Sequence, residues 1–386
     1  MLSKDRLLLA INHKEPDHVP LSFEWIMRQF VKDRTWCDGF ERAEMELKLG
    51  LDPIYNIQYT PAWKLNPDVK IKLWRDPSIA GEEYPVLFKE YHTRKGVLKQ
   101  IVRQTPDWPY GEYLPLWDDY LLPRSRAKKY LVEGQSDLEA FESLFNEPTD
   151  REIKQFLKTA EYVKRFADKH SIFVKCSDFQ MTDAALYSLG MENMISSMFR
   201  NPELIHRMLD ILLEWNLRYL QQVLEADVVD MVKYEGWFES FFPPKQYRTF
   251  IFPRVRKIFE MAHKAGVKVC YGPRNAPVGF FSIFKEVGTD IFWGCDPLLI
   301  GKDFARVKNE VGDKICFWGG VDSYVTLGTG TKKKIENEVI EAIRILAPGG
   351  GFILSAFDSL DAHTSWSKIE HMLKVWRNHG TYPINI

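Results

Sequence analysis

Short runs of consecutive apolar residues alternate with segments in which apolar residues recur every three or four positions, over most of the chain. The apolar runs fall at 19–24, 53–58, 171–176, 228–234, 267–271, 289–295, 314–319 and 351–357. They are mostly continuous rather than alternating, as expected of parallel strands covered on both faces. The helical pattern occupies 40–49, 151–169, 202–225, 244–265, a stretch ending at Gly288, 303–311, 332–346 and 366–378. Local signals punctuate it: Thr149 or Asp150 caps one helix, Pro202 sits in the first turn of the next, and Gly266 closes a third. Pro253 kinks or breaks the segment in which it lies.

Eight apolar runs with intervening helices predict an α/β fold, a (β/α)8 TIM barrel forming one domain over residues 1–386. A doubly wound open sheet is the competing arrangement, but no Gly-x-Gly-x-x-Gly follows the first run. A plain barrel needs about 250 residues. The excess in this 386-residue chain is assigned to residues 60–130, a β-rich insertion after the second strand, lying over one barrel mouth. Within it, residues 91–98 read as two extended pieces around a turn.

Composition narrows the function classes. Lys and Arg number 52 against 53 Asp and Glu, a net charge of −1, which argues against a nucleic-acid partner. No apolar stretch approaches the roughly 18 residues of a membrane span. The amino terminus lacks the apolar core and cleavage site of a signal peptide. Five cysteines without Cys-x-x-Cys spacing fit a reducing, cytoplasmic compartment.

In a barrel of this kind the loops after the strands build the active site. The residues so nominated are Glu24, Trp25, Gln58, Tyr59, Cys176, Asp178, Tyr234, Glu235, Trp237, Cys270, Arg274, Cys295, Asp296, Asp322, Phe357, Asp358, Asp361 and His363. Carboxyl groups beside large aromatic rings have raised pKa values and can donate protons near neutrality, and flat aromatic walls suit a flat substrate. Each of these residues also has a structural reading. Asp296 and Asp322 stand where helix caps are expected, and Cys316, in mid-strand, reads as core. Arg274 either clamps a substrate carboxylate or forms a salt bridge. His-x-His and His-Glu-x-x-His are absent, so no metal ligands are assigned, although Cys270 with Cys295, Glu235 or Asp358 would be brought together if the strands converge.

Several stretches resemble one superfamily. They are Pro16-Asp17-His18-Val19-Pro20, Asn201-Pro202-Glu203-Leu204, Phe242-Pro243-Pro244, Trp318-Gly319-Gly320-Val321-Asp322, Pro348-Gly349-Gly350-Gly351-Phe352 and His379-Gly380-Thr381-Tyr382-Pro383. Together the chain resembles the uroporphyrinogen decarboxylase superfamily, which includes that decarboxylase and corrinoid-linked methyltransferases. The resemblance implies a (β/α)8 barrel.

Two departures point within it. The decarboxylase resemblance implies an Arg-Gln-Ala-Gly-Arg-like segment after the first strand, where this chain has Phe23-Glu24-Trp25-Ile26-Met27-Arg28-Gln29-Phe30. Thiol-activating methyltransferases carry His-x-Cys on a late strand and a second Cys on the last to hold zinc; here the strands read Val269-Cys270-Tyr271-Gly272 and Ser355-Ala356-Phe357-Asp358. Zinc is therefore the less favoured alternative. What remains resembles the O-demethylase component that moves a methyl group from an aryl methyl ether to the cobalt(I) of a separate corrinoid (cobalamin) protein. No Asp-x-His-x-x-Gly corrinoid signature occurs, so a partner protein would carry the cobalt. On this reading Glu235, Asp358 or His363 protonates the leaving oxygen. Trp25, Tyr59, Trp237 and Phe357 hold the ring, and Cys176, Asp178, Tyr234, Cys270 and Arg274 complete the substrate site. A decarboxylase, or a corrinoid methyltransferase with a non-aromatic donor, stands as the alternative.

Overall fold

The apolar runs become parallel strands because each can be covered on one face by helices and on the other by the strands across the barrel. The computed structural model describes residues 1–26, 39–274, 276–300, 303–357, 359–360 and 364–386, with the main chain alone at Trp25, Ile26, Asp178 and Ser359. Helix α1 (Ser3–Ile11) leads to an extended segment around Leu21 and the short β1 (Trp25–Ile26). After α2 (Gly39–Lys48) and β2 (Ile54–Ile57) comes the insertion, built of β3 (Lys70–Asp76), β4 (Val86–Thr93), β5 (Gly96–Arg103) and β6 (Ala127–Lys129). Helices α3 (Leu138–Glu142) and α4 (Asp150–His170) precede β7 (Phe173–Phe179). Then follow α5 (Met181–Leu189), α6 (Met191–Arg200), α7 (Pro202–Glu225) and β8 (Met231–Tyr234). The remaining staves are β9 (Lys268–Tyr271), β10 (Ile291–Cys295), β11 (Cys316–Asp322) and β12 (Phe352–Phe357), with β13 (Ser359–Leu360) at the end of the last.

Seven strands form one parallel sheet in the order β12-β11-β10-β9-β8-β7-β2. The segment at Leu21, first in chain order, completes the eight staves and closes the ring. It pairs in parallel with Leu354, and the Asp52 amide just before β2 donates to the Leu21 carbonyl at 2.9 Å. The strand count and the (β/α)8 barrel expected from the sequence are both present. Alternate side chains point to opposite faces of each strand. Those facing the axis include Ile54, Phe173, Met231, Cys270, Ile291, Trp293, Cys316, Trp318, Ile353 and Phe357, which form one buried cluster with Leu7 and Ile11 of α1.

Helix α1 closes one end of the barrel. The Lys4 amide donates to Ser171 and the Gly351 amide to Ala10, each at 2.9 Å, so the helix lies where β7 and β12 begin. The carboxyl ends of the strands form the other mouth. Helix signals behaved locally: Thr149 and Glu152 make a reciprocal capping box at α4, and Asn201 caps α7 with Pro202 in its first turn. The predicted helix 244–265 is interrupted as Pro253 requires. A short α8 (Pro244–Gln246) and a π turn at Tyr247–Ile251 precede α9 (Phe252–Lys264).

The insertion is an antiparallel sheet in the order β3-β4-β5-β6, with Arg94 and Lys95 turning the β4–β5 hairpin. It rests on the helix layer beside the third stave. Trp117 Nε1 donates to Ser188 Oγ at 2.8 Å, and Tyr187 of α5 donates to Asp119. Among the described residues, no helix is long and apolar enough to cross a membrane.

Candidate active site at the carboxyl ends of the barrel strands

Two lysines interrupt otherwise apolar strands. Lys175 lies two positions after Phe173, and Lys233 two positions after Met231, so both point to the barrel axis one layer nearer the open mouth. A charged group buried without a partner would be expelled or neutralised. Here Glu24, carried by the first stave, accepts from Lys175 and from Lys233 on the same oxygen, the latter at 3.0 Å. Lys233 also reaches Glu235 at 3.1 Å, and the indole N–H of Trp237 donates to the other oxygen of Glu235. The result is a chain of four alternating charges, Lys175–Glu24–Lys233–Glu235, ending on a tryptophan. The Glu24 and Lys233 side chains are 0% exposed and that of Glu235 is 8% exposed, so Glu235 is nearest to solvent of these three.

Burial pushes the Glu24 carboxyl up, but the two ammonium groups outweigh it and hold it at about 2. Burial also works against the charge on Lys233, yet Glu235 and Glu24 keep it above the usual lysine range. For Lys175 the balance tips the other way, and burial pulls it below that range against the attraction of Glu24. Lys233 is the fixed cation of the chain and Lys175 the more easily discharged one.

Aromatic rings wall this chain. Lys233 Nζ stands 3.7 Å from the Trp293 ring centroid, a cation–π contact, and Trp293 meets Phe357 edge-on at 4.9 Å. Lys175 Nζ lies 5.7 Å from the Trp318 ring, and the Arg274 guanidinium stacks 4.2 Å from that of Trp237. Gly272 permits the close fit: a Cβ there would come within 3.2 Å of Trp293 and 3.5 Å of Lys233.

A second polar cluster lies behind the Glu235–Trp237 turn, on the helix side of the sheet. Asp183 of α5 accepts the Trp237 amide at 3.0 Å and that of Phe238 at 3.4 Å. Glu239 accepts from Tyr234 at 2.9 Å and from Tyr271, and Tyr271 is joined to Tyr247 at 2.9 Å. Both carboxyl groups are buried among apolar and phenolic side chains. Burial raises Glu239 to about 8, and burial together with Glu239 raises Asp183 well above the usual aspartate range.

The sequence-nominated residues divide by strand parity. Glu235, Trp237, Arg274 and Phe357 meet at the mouth. Cys270 faces the axis beside Lys233 in the strand register, where burial pushes its thiol up. Tyr59, Cys176 and Tyr234 do not join them. Each is one residue out of phase with the axis-facing set: Tyr234 is committed to Thr182 and Glu239, Tyr59 packs edge-on against Phe156, and Cys176 belongs to the helix-side core. Glu235 differs from expectation in its surroundings, since two donors are aimed at it. The side chains of Trp25 and Asp178, and all of Asp358, Asp361 and His363, lie outside the described residues. Among the described residues, no three His, Cys, Asp or Glu side chains converge as a metal-ligand set. Asp322 caps the turn after β11 by accepting from Val325 and Thr326, and Asp296 accepts from the Leu298 amide at 2.8 Å, both as caps should. Sequence reasoning missed Lys175, Lys233, Trp293, Trp318, Asp183 and Glu239. For the lysines a signal was present, a cation in the middle of an apolar parallel strand.

A (β/α)8 barrel with its polar residues gathered at the carboxyl ends of the strands and its other end plugged defines an enzyme-type scaffold. The chain belongs to the uroporphyrinogen decarboxylase (URO-D) family, whose model matches residues 127–379. It is 28% identical over 142 residues to a uroporphyrinogen decarboxylase of Chlorobaculum tepidum, covering 36% of this chain and 38% of that one. To the uroporphyrinogen decarboxylase of Pseudoalteromonas translucida it is 27% identical over 165 residues, covering 41% and 43%. These matches span less than half the length of either relative. In structure the chain is similar to a methyltransferase from Methanosarcina mazei, with a TM-score of 0.59 at 15% identity, covering 98% of this chain and 99% of that one. At that identity the likeness speaks to the fold alone.

Proposed function

We propose that this protein is a methyltransferase that takes the methyl group of an aryl methyl ether and gives it to the cobalt(I) of a separate corrinoid protein. The observation that carries the reading is the pairing of an aromatic wall (Trp237, Trp293, Phe357) with a buried, proton-bearing charge chain at the open end of the barrel. The rings would hold a planar donor, and Glu235, the end of the chain nearest the open mouth, would face its ether oxygen. The methyl carbon accepts the electron pair of the cobalt(I) co-substrate as its bond to oxygen breaks. That bonding pair stays on the oxygen, which takes up a proton. Glu235 would relay a solvent proton to that oxygen, and the fixed positive charge of Lys233, which keeps its own proton, would stabilise the oxygen as it becomes anionic.

Family membership supports a second reading, decarboxylation of a carboxylated substrate. The charge count favours the first. An acidic tetrapyrrole needs an excess of cations, whereas Lys175 and Lys233 are matched by Glu24 and Glu235, leaving Arg274 as the one further cation described at this aromatic wall. The decisive experiment mixes the protein with a reduced corrinoid protein and a panel of methoxylated arenes. Loss of the cobalt(I) absorption with release of the free phenol is expected. Carbon dioxide release from carboxylated substrates, with no methyl transfer from any arene, would overturn the proposal.

A further inference from the structure

The turn that presents Glu235 and Trp237 is fixed through its main chain. Its anchors lie behind it, in the cluster around Asp183 and Glu239. Asp183 takes the amides of Trp237 and Phe238, so one carboxyl group fixes two successive peptide planes. Glu239 lies directly beneath: a Cβ at Gly236 would fall 2.8 Å from its carboxyl carbon and 2.8 Å from the Tyr271 ring. The turn therefore cannot shift inward without displacing Glu239. Its far side is tied by the Arg274 amide, which donates to the Trp237 carbonyl at 3.0 Å.

We infer that Asp183 is a positioning residue for the active site, setting the direction of Glu235 and Trp237 through the main chain, and that with Glu239 it makes this setting depend on protons held by buried carboxyl groups. The inference rests on the reading of Glu235 and Trp237 as site residues, although neither Asp183 nor Glu239 touches the proposed substrate. Among the described residues, no lysine or arginine forms a hydrogen bond or ion pair with either carboxyl. The groups facing the pair are Tyr187 of α5, Tyr234 of β8, Tyr271 of β9, Tyr247 ahead of α9, and Glu235 on the turn itself. All are neutral hydroxyls or further carboxyls, so a second negative charge there has no cation to meet it. Glu239, raised to about 8 by burial, ionises within the pH range over which the turn can be measured.

The test uses the full chain and reads the turn directly. Hydrogen exchange of a peptide covering residues 235–242 is followed from pH 6 to 9 and corrected for the intrinsic base-catalysed rate. In the unaltered protein, protection of the Trp237 and Phe238 amides is expected to fall about tenfold as pH rises through about 8. Asp183→Ala, which removes the acceptor, should lose that protection at pH 7. Glu239→Gln, which keeps one acceptor for the tyrosines, offers an amide N–H donor to the other and cannot ionise, should retain protection and flatten the pH dependence. Equal protection in Asp183→Ala and the unaltered protein would overturn the positioning role. A pH response that survives in Glu239→Gln would overturn the proton dependence. If Asp183→Ala does not fold, Asp183→Asn keeps one acceptor of the two and should show intermediate protection, with full protection again counting against the inference. None of these readouts involves methyl transfer, so an unaltered protein inactive toward every arene would remove the proposed function and leave this inference standing.

Discussion

Lys233 Nζ lies 3.0 Å from a carboxylate oxygen of Glu24, a residue 209 positions away in the chain, while its own strand supplies Glu235 at 3.1 Å on the other side. One ammonium thus holds two acids together inside the barrel. Its contacts explain why a lysine is tolerated on a strand whose neighbours are apolar, since its charge is matched twice and its ammonium nitrogen sits over the Trp293 ring.

Replacement of that cation tests the matching. Lys233→Met leaves Glu24 and Glu235 without it and should destabilise the fold by about 3–5 kcal/mol. The double variant Lys233→Met with Glu235→Gln removes the carboxylate stranded by the first change, since Glu24 keeps Lys175, and should recover part of the loss. Urea denaturation of the three proteins measures both steps; a single variant as stable as the parent would show that the buried chain is not a structural determinant.

Glu235→Gln keeps the shape of the side chain and removes its capacity to relay a proton. Methyl transfer to cobalt(I) should fall at least about a hundredfold. Arene affinity should change by less than about threefold, because the Trp237 and Trp293 rings remain in place. Stopped-flow loss of the cobalt(I) absorption and direct ligand titration separate the two, and undiminished turnover would remove Glu235 from the mechanism.

Gly272→Ala places a methyl group 3.2 Å from Trp293 and 3.5 Å from Lys233. The ring must tilt to accept it, so affinity for a planar ligand should weaken by about tenfold, or 1.4 kcal/mol, with little change in melting temperature. Isothermal titration with the best arene of the panel checks this.

Stability should decline toward both ends of the pH scale for different reasons. Glu24 is held at about 2, below its ordinary 4.5, so its contribution is present above 4.5 and is lost as pH falls through about 2. Glu239 is raised to about 8, so its contribution is complete below 4.5 and is lost as pH rises through about 8. Denaturant midpoints measured across this range should show the alkaline decline in the parent and its flattening in Glu239→Gln.

The proposed corrinoid partner and the absence of assigned metal ligands can each be tested by direct measurement. A corrinoid protein presented to the barrel mouth should be captured by the parent chain. Metal analysis of the purified protein is expected to show less than a stoichiometric amount of zinc; one tightly held equivalent would reverse the assignment of no metal ligands.

Local order was written in the sequence. Eight apolar runs, Thr149 with Glu152, Asn201 before Pro202, and Pro253 within a helical pattern each act on their own or adjacent residues, so propensity, capping and a missing amide were enough to place the strands and helices. The strand ends also marked the neighbourhood of the candidate site, where Glu235, Trp237, Arg274 and Phe357 lie near one another. Which face each residue took was decided by the closed sheet. A shift of one position carries a side chain from the axis to the helix layer, and this separates Lys233 from Tyr234 and Lys175 from Cys176. Closure also brought Glu24 to Lys233 and Asp183 to the Trp237 amide. Those pairings depend on the curvature of eight staves around a common axis, a long-range property that no window of sequence contains.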